Sequence, residues 1–386
     1  MHVCDALAPF GSTIFSTMSA MARQHNAINL SQGFPDFDGP EFVKRAAIEA
    51  INKGHGQYAP SHGIPELRHA IADRFRARHD LPVDHDACVT VTSGCTEAIA
   101  SSLLGLLNPG DEVVVFEPYY DSYRACIALA GGVPRFVTMR APDFRWDPDE
   151  LASAFNDRTR AVMLNTPHNP SGRVLDRAEL QQIASLCHQW DAICISDEVY
   201  ENLVFDGEHV SIASLDGMWN RTITLSSFGK TFGLTGWKLG WAIAPDPLTR
   251  AVRAAHQFVT FASVTPLQHA AADALRADES YYTEFTSDYL RKRDLLCEGL
   301  ESAGFGLTRP EGTYFVLADH SPFGFKDDVE FCLHLVEHAG VAAIPPSAFY
   351  EHPERGSHLV RFAFCKREET LHAALERLSR LRDRVV

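Results

Sequence analysis

The chain has 386 residues, 45% hydrophobic and 22% charged, the balance of a globular protein too long for one hydrophobic core. A formal net charge of −15 and a pI near 5.6 argue against nucleic acid or an anionic membrane as the main partner. No apolar run approaches the roughly 20 residues of a spanning helix, residues 1–10 lack a signal-peptide pattern, and nine cysteines without a CxxC pair fit a reducing, cytoplasmic setting.

The first thirty or so residues show no clear period and read as an irregular arm. Between about residues 85 and 245 short apolar runs alternate with amphipathic stretches. Strands are expected at 88–92, 112–116, 161–165, 192–196, 222–226 and 239–244. Helices are expected between them, at 97–107, 122–130 and 178–189. The alternation predicts an α/β fold with a mostly parallel central sheet covered by helices. Turns fall at Asn108-Pro109-Gly110-Asp111, Gly131-Gly132 and Asn169-Pro170-Ser171-Gly172. After about residue 285 the pattern becomes a long helix at 289–303, a segment Gly312-Thr313-Tyr314-Phe315-Val316, a helix near 327–338, a strand at 360–364 and an Arg-rich final helix. This predicts a smaller α+β domain, dividing the chain into an arm (1–32), a large domain (33–285) and a small domain (286–386).

In open α/β sheets, binding groups gather at the carboxyl ends of the strands. Four such ends carry reactive or polar residues: Asp197 after 192–196, Lys230 after 222–226, Asn165 with Asn169 after 161–164, and Ser93-Gly94-Cys95-Thr96 after 88–92. The last opens a helix, whose free N–H groups and dipole suit a phosphate. Taken singly, each has an ordinary explanation as a cap, a turn or a surface charge. Their convergence on one sheet end is what points to a site. Lysine is also scarce: seven of the 35 Lys and Arg residues are lysines and 28 are arginines. Only an amine that can lose its proton condenses with a carbonyl, so each lysine is informative.

Other motifs fail. Gly229-Lys230-Thr231 resembles the end of a phosphate loop, but Thr224 stands where that loop needs glycine. No G-x-G-x-x-G follows a strand, and no G-x-S-x-G elbow is present. His334 and His338 lack the glutamate of a zinc-helix motif and read as amphipathic-helix residues.

Nine segments in order carry a resemblance: Asn29-Leu30-Ser31-Gln32-Gly33-Phe34-Pro35-Asp36-Phe37, Gln57-Tyr58, Thr92-Ser93-Gly94, Gly110-Asp111-Glu112-Val113, Asn165-Thr166-Pro167-His168-Asn169-Pro170-Ser171-Gly172, Ser196-Asp197-Glu198-Val199-Tyr200, Ser227-Phe228-Gly229-Lys230-Thr231, Thr235-Gly236-Trp237-Lys238-Leu239-Gly240 and Arg361-Phe362. In these the chain resembles the class I and II aminotransferases of pyridoxal-phosphate (PLP) fold type I, most of all their methionine and kynurenine branch. The resemblance implies that Lys230 holds PLP as a Schiff base and shuttles the substrate's α-proton. Asp197 would pair with the pyridine nitrogen, keeping it protonated so that the ring can accept electrons. Tyr200 and Asn169 would hold the phenolic oxygen, and Tyr120 would stack on the ring. Cys95, Thr96, Ser227 and Lys238 would hold the phosphate, with Tyr58 reaching in from a second subunit of a homodimer. Arg361 would grip the substrate α-carboxylate as a planar fork, beside Asn165 and Gly33. Phe15, Tyr58 and Phe261 would line an apolar side-chain pocket.

Cys95-Thr96 replaces the Tyr-Gly common in the kynurenine branch, Phe15 its arm tryptophan, and His168 its usual asparagine, which favours the methionine-type branch. The implied reaction is ping-pong transfer of the α-amino group from a methionine-, aromatic-, histidine- or glutamine-type amino acid to a 2-oxo acid. Two alternatives stand beside it: cysteine-conjugate β-elimination at the same site, and a sensing module without activity.

Overall fold

The computed structural model describes residues 4–11 and 13–381; residues 1–3 and 12 of the expected arm and 382–386 of the expected small domain lie outside the described residues. A helix, Ile14–Gln24, corrects the expectation of an irregular N-terminus. Thr13 caps it, accepting a hydrogen bond from the Ser16 N–H (3.3 Å). Met18 and Ala22, four residues apart, bury its inner face. Ser16, Thr17 and Ser19 interrupt the apolar stripe and hide it in the sequence. Strand β1 (Ile28–Asn29) follows and pairs in parallel with Val341–Ala342.

The apolar runs of the middle of the chain form one seven-stranded sheet. Its members are β2 (Val89–Thr92), β3 (Glu112–Glu117), β4 (Val133–Thr138), β5 (Thr159–Asn165), β6 (Ile193–Asp197), β7 (Thr222–Ser227) and β8 (Gly240–Ile243). The order is β2-β8-β7-β6-β5-β3-β4, and only β8 runs against its neighbours. β2, β3, β6 and β8 are buried along their whole length, so helices must cover both faces. Sequence reading passed over β4 because Pro134 and Arg135 interrupt it. As an edge strand that is half exposed, it tolerates both.

Helices between the strands are set by local chemistry. In Arg177–Gln189 the Asp176 side chain accepts from the Glu179 N–H (2.9 Å), and Glu179 accepts from the Asp176 N–H (3.0 Å). Because β8 alone is reversed, its first residue lies at the same edge as the last residues of the other strands. Thr92, Glu117, Asn165, Asp197, Ser227 and Gly240 therefore share one rim.

Beyond residue 278 a 25-residue helix, Glu279–Ala303, begins ten residues earlier than expected. Its first turns carry Tyr281 and Tyr282, which pack against Phe232 and the core beside the large sheet rather than mark a simple charged stripe. Strands β9 (Gly306–Leu307), β10 (Phe315–Asp319), β11 (Val341–Ala342) and β12 (Leu359–Ala363) follow, with β12-β10-β9 forming an antiparallel sheet. The helix expected near 327–338 is α-helical over Asp328–His334 and widens to a π-helical turn at Leu335–Ala339. One core cluster joins Met18, Ala22 and Leu30 to Leu296, Leu300, Phe331 and Phe362. Among the described residues no helix is long and apolar enough to cross a membrane.

Phe362 is completely buried next to Arg361 on β12. Replacing it with alanine should cost about 3–5 kcal/mol through lost burial and a residual cavity; equilibrium urea unfolding should show the corresponding fall in midpoint.

Candidate active site

A cavity of ≈ 370 Å³ opens at the shared rim. Asp197 ends β6 inside it, 4% exposed. Its Oδ2 accepts from the Tyr123 hydroxyl (2.7 Å), and its Oδ1 accepts from the Val199 N–H (3.3 Å) and the Cys95 thiol (3.6 Å). All three donors are neutral. Burial pushes the carboxyl above its ordinary range, and the hydrogen bonds from Tyr123, Val199 and Cys95 oppose that push. One strand away, Asn165 ties the ends of β5 and β6 together: its amide donates to Asp197 O (2.8 Å), and its Oδ1 accepts from Asn169 N–H (2.7 Å).

Lys230 follows β7 in the one-turn helix Phe228–Thr231. Its amine donates to the Tyr314 hydroxyl (2.9 Å), which donates to Gly33 O (2.6 Å). Burial holds the amine below the ordinary lysine range, so a larger fraction is neutral and nucleophilic near pH 8 than for a solvated lysine.

Next to it the helix Gly94–Leu106 starts with no side-chain cap, leaving its first N–H groups to point into the cavity. Two glycines make this cradle. Gly240 carries no side chain because a Cβ there would lie 2.6 Å from Cys95 N, and Gly94 (φ +75°) brings the Lys238 amine within 3.2 Å of its own would-be Cβ. Cys95, Thr96, Ser227, Thr235 and Lys238 complete this wall.

Across the cavity Arg361 comes from β12, 2% exposed. One Nη donates to Asn169 Oδ1 (3.2 Å) and the other to Ser31 O (3.0 Å); its Nε is buried with no partner among the described residues. The guanidinium sits 4.1 Å from the Phe315 ring centroid and 5.2 Å from those of Phe15 and Phe349. Burial lowers its pKa to about 10, which still leaves it charged at neutral pH.

The cavity thus brings together Lys230, Asp197, Tyr200, Cys95, Thr96, Tyr120, Asn165, Asn169, Ser227, Lys238, Arg361, Gly33 and Phe15. Tyr58 and Phe261 stay outside the cavity of their own chain. They pack edge to face on each other (5.2 Å) at the surface, where Tyr58 is 84% exposed. His168 is buried and shares a hydrogen bond with the Ser171 hydroxyl (2.7 Å); burial lowers its pKa to about 3, so it is a neutral brace of the 166–172 turn. Sequence reasoning missed Tyr123, Tyr314, Phe315, Thr235, Gln32 and Asp121. Tyr123 could have been sought, since it stands in the first turn of the helix that opens just after Tyr120.

The profile of the class I and II aminotransferases matches residues 25–378. The chain is 44% identical to a methionine aminotransferase of Escherichia coli over 97% of each chain. A solved Escherichia coli structure reported with a methionine aminotransferase function superposes with a TM-score of 0.95, covering 98% of this chain and all of that one. A probable N-succinyldiaminopimelate aminotransferase of Mycobacterium tuberculosis is 45% identical over 98% of each chain. Human kynurenine–oxoglutarate transaminase 1 is 38% identical over 93% of each. The chain therefore belongs to the class I and II aminotransferase family and is an aminotransferase with the α/β fold type I of that family, as its motifs imply.

The depressed Lys230 amine gives a direct test. In amine labelling followed by peptide mass spectrometry, Lys230 should reach half-modification at lower pH than Lys44 and Lys53, whose ion pairs raise theirs. A common midpoint for all three would contradict the burial argument.

Proposed function

We propose that the cavity binds pyridoxal 5'-phosphate, held covalently by Lys230, and moves the α-amino group of a methionine-, aromatic-, histidine- or glutamine-type amino acid to a 2-oxo acid. The observation that carries this reading is a set of buried charged groups whose hydrogen-bond partners among the described residues are all neutral. Asp197 meets only neutral donors among the described residues, and a buried carboxylate is costly without a cation. A protonated pyridine nitrogen supplies that cation. The uncapped start of Gly94–Leu106, with Lys238 and Ser227, offers N–H groups and positive charge to a phosphate. The neutral fraction of Lys230 suits covalent attachment.

When bound, pyridoxal phosphate supplies an electron-withdrawing ring that stabilises negative charge at the substrate α-carbon and a carbon that carries the amino group between substrates. The chain's own residues do the rest. Arg361 holds the α-carboxylate as a fork, beside Asn165 and Gly33, and so fixes the α-carbon. Lys230 Nζ takes the α-proton and returns it. Tyr200 and Asn169 are assigned to the phenolic oxygen, and Tyr120 to the face of the ring. Phe15, Phe34 and Phe315 in the wall, with Arg361 as its one arginine among the described residues, support a donor with an uncharged side chain. The methionine activity reported for the Escherichia coli relative supports the same class.

The exposure of Tyr58, Phe258 (89%) and Phe261 (42%) supports a homodimer in which Tyr58 serves the neighbour's phosphate. The core that joins Met18 and Leu30 to residues beyond 289 supports the division into an arm (1–32), a large domain (33–285) and a small domain (286–386). Nine free cysteines accord with a cytoplasmic location.

Absorbance spectra test the reading. Purified protein with added pyridoxal phosphate should gain a visible band that L-methionine bleaches, and Lys230→Ala should lack it. No band in the parent would refute the cofactor; bleaching only by another amino acid would move the donor class. Arg361→Ala should lower kcat/KM by roughly 30- to 1000-fold, the ~2–4 kcal/mol expected for losing one partner of a buried charged pair.

A further inference from the structure

Asp197 is held from a helix that contributes no residue to the family motifs above. Tyr123 lies in the first turn of Ser122–Leu129, 3% exposed, and its hydroxyl gives Asp197 Oδ2 its one hydrogen bond among the described residues. The other oxygen has the Val199 N–H and the weaker thiol of Cys95. Tyr120, three residues earlier, packs edge to face on the Tyr123 ring (5.6 Å), and both line the cavity. The hydroxyl is a committed donor, because burial and the neighbouring carboxylate push its ionisation far above the ordinary tyrosine range.

A carboxylate facing a protonated ring nitrogen shares one proton with it. For a carboxylate this buried the proton can rest on either partner, as nitrogen cation with carboxylate or as neutral pair. A short hydrogen bond into the carboxylate stabilises its charged form and so leaves the proton on nitrogen.

We propose that Tyr123 is a positioning residue for the transamination: its hydroxyl keeps Asp197 ionised and aimed, and so keeps the ring nitrogen of the cofactor protonated. This rests on the cofactor reading above. Removing the hydroxyl leaves Asp197 Oδ2 without a donor, and the proton shifts towards the carboxylate. The ring then withdraws fewer electrons, and removal of the substrate's α-proton slows. Cofactor attachment through Lys230 and carboxylate binding at Arg361 are left intact.

The test is the nitrogen-15 resonance of ring-labelled pyridoxal phosphate bound to the full chain, which reports directly whether that nitrogen carries the proton. Asp197→Asn sets the unprotonated end of the scale. Tyr123→Phe, which keeps the ring's shape, should move the resonance from the parent's value towards that end. It should also slow the single-turnover reaction with L-methionine on the order of 10-fold, as expected for losing a hydrogen bond to a charged group. Tyr119→Phe removes a buried tyrosine hydroxyl from the same segment, away from the cavity, and should leave the resonance in place. A Tyr123→Phe resonance equal to the parent's overturns the proposal. If Tyr123→Phe fails to hold cofactor, Tyr123→His decides, since its ring N–H can replace the donor: the parent's resonance supports the proposal, and that of Asp197→Asn overturns it. A parent that binds no cofactor, or whose resonance does not respond to Asp197→Asn, defeats the cofactor reading instead.

Discussion

Buried charge whose hydrogen-bond partners are all neutral is the constraint on which the molecule turns. Asp197, Lys230 and Arg361 converge from two sheets, and each is held by neutral partners among the described residues. Charges removed from water without counter-ions cost several kcal/mol apiece in real proteins. The fold bears that cost because the carboxylate sits on β6 in the middle of the large sheet, while the guanidinium sits on β12 between two rows of buried apolar residues. A ligand with the opposite charges in the same places removes the penalty, so affinity here comes from relieving a strain the fold already carries. Mass action then makes the stability of the chain depend on ligand supply.

The rim is a consequence of strand direction. Residues distant in sequence meet because each strand of the parallel set delivers its last residue to the same edge, and the reversed β8 delivers its first. Lys238, just ahead of β8, therefore lands beside the start of a helix that follows β2. The small sheet adds Arg361, and Tyr314 links the two sides by bridging Lys230 and Gly33.

Much of this was legible in the sequence, because the central strands are buried on both faces and show as short apolar runs with a polar residue at the end. Asp197, Lys230, Asn165 and the Ser93–Thr96 turn stood out for that reason. Elements whose burial is one-sided were harder. β4 carries a proline and an arginine in its less buried first half, and the helix Ile14–Gln24 mixes serine and threonine into its apolar stripe. Tyr123 and Tyr314 were missed because an aromatic in an apolar pattern reads as core, and nothing local says where its hydroxyl ends. Tyr58 and Phe261 belong to a surface that a single chain leaves open.

The cradle at the start of Gly94–Leu106 is made of backbone. Its donors are peptide N–H groups, which every residue except proline possesses, so exchanging Cys95 or Thr96 for other side chains leaves the donors in place. The vulnerability lies instead at Gly240, where an added carbon meets the Cys95 backbone at 2.6 Å, and at Gly94, whose φ of +75° side chains rarely adopt. Substitution at Cys95 or Thr96 therefore retunes the neighbourhood of Asp197 without removing the peptide donors, while an added side chain at Gly240 would displace the start of the helix itself.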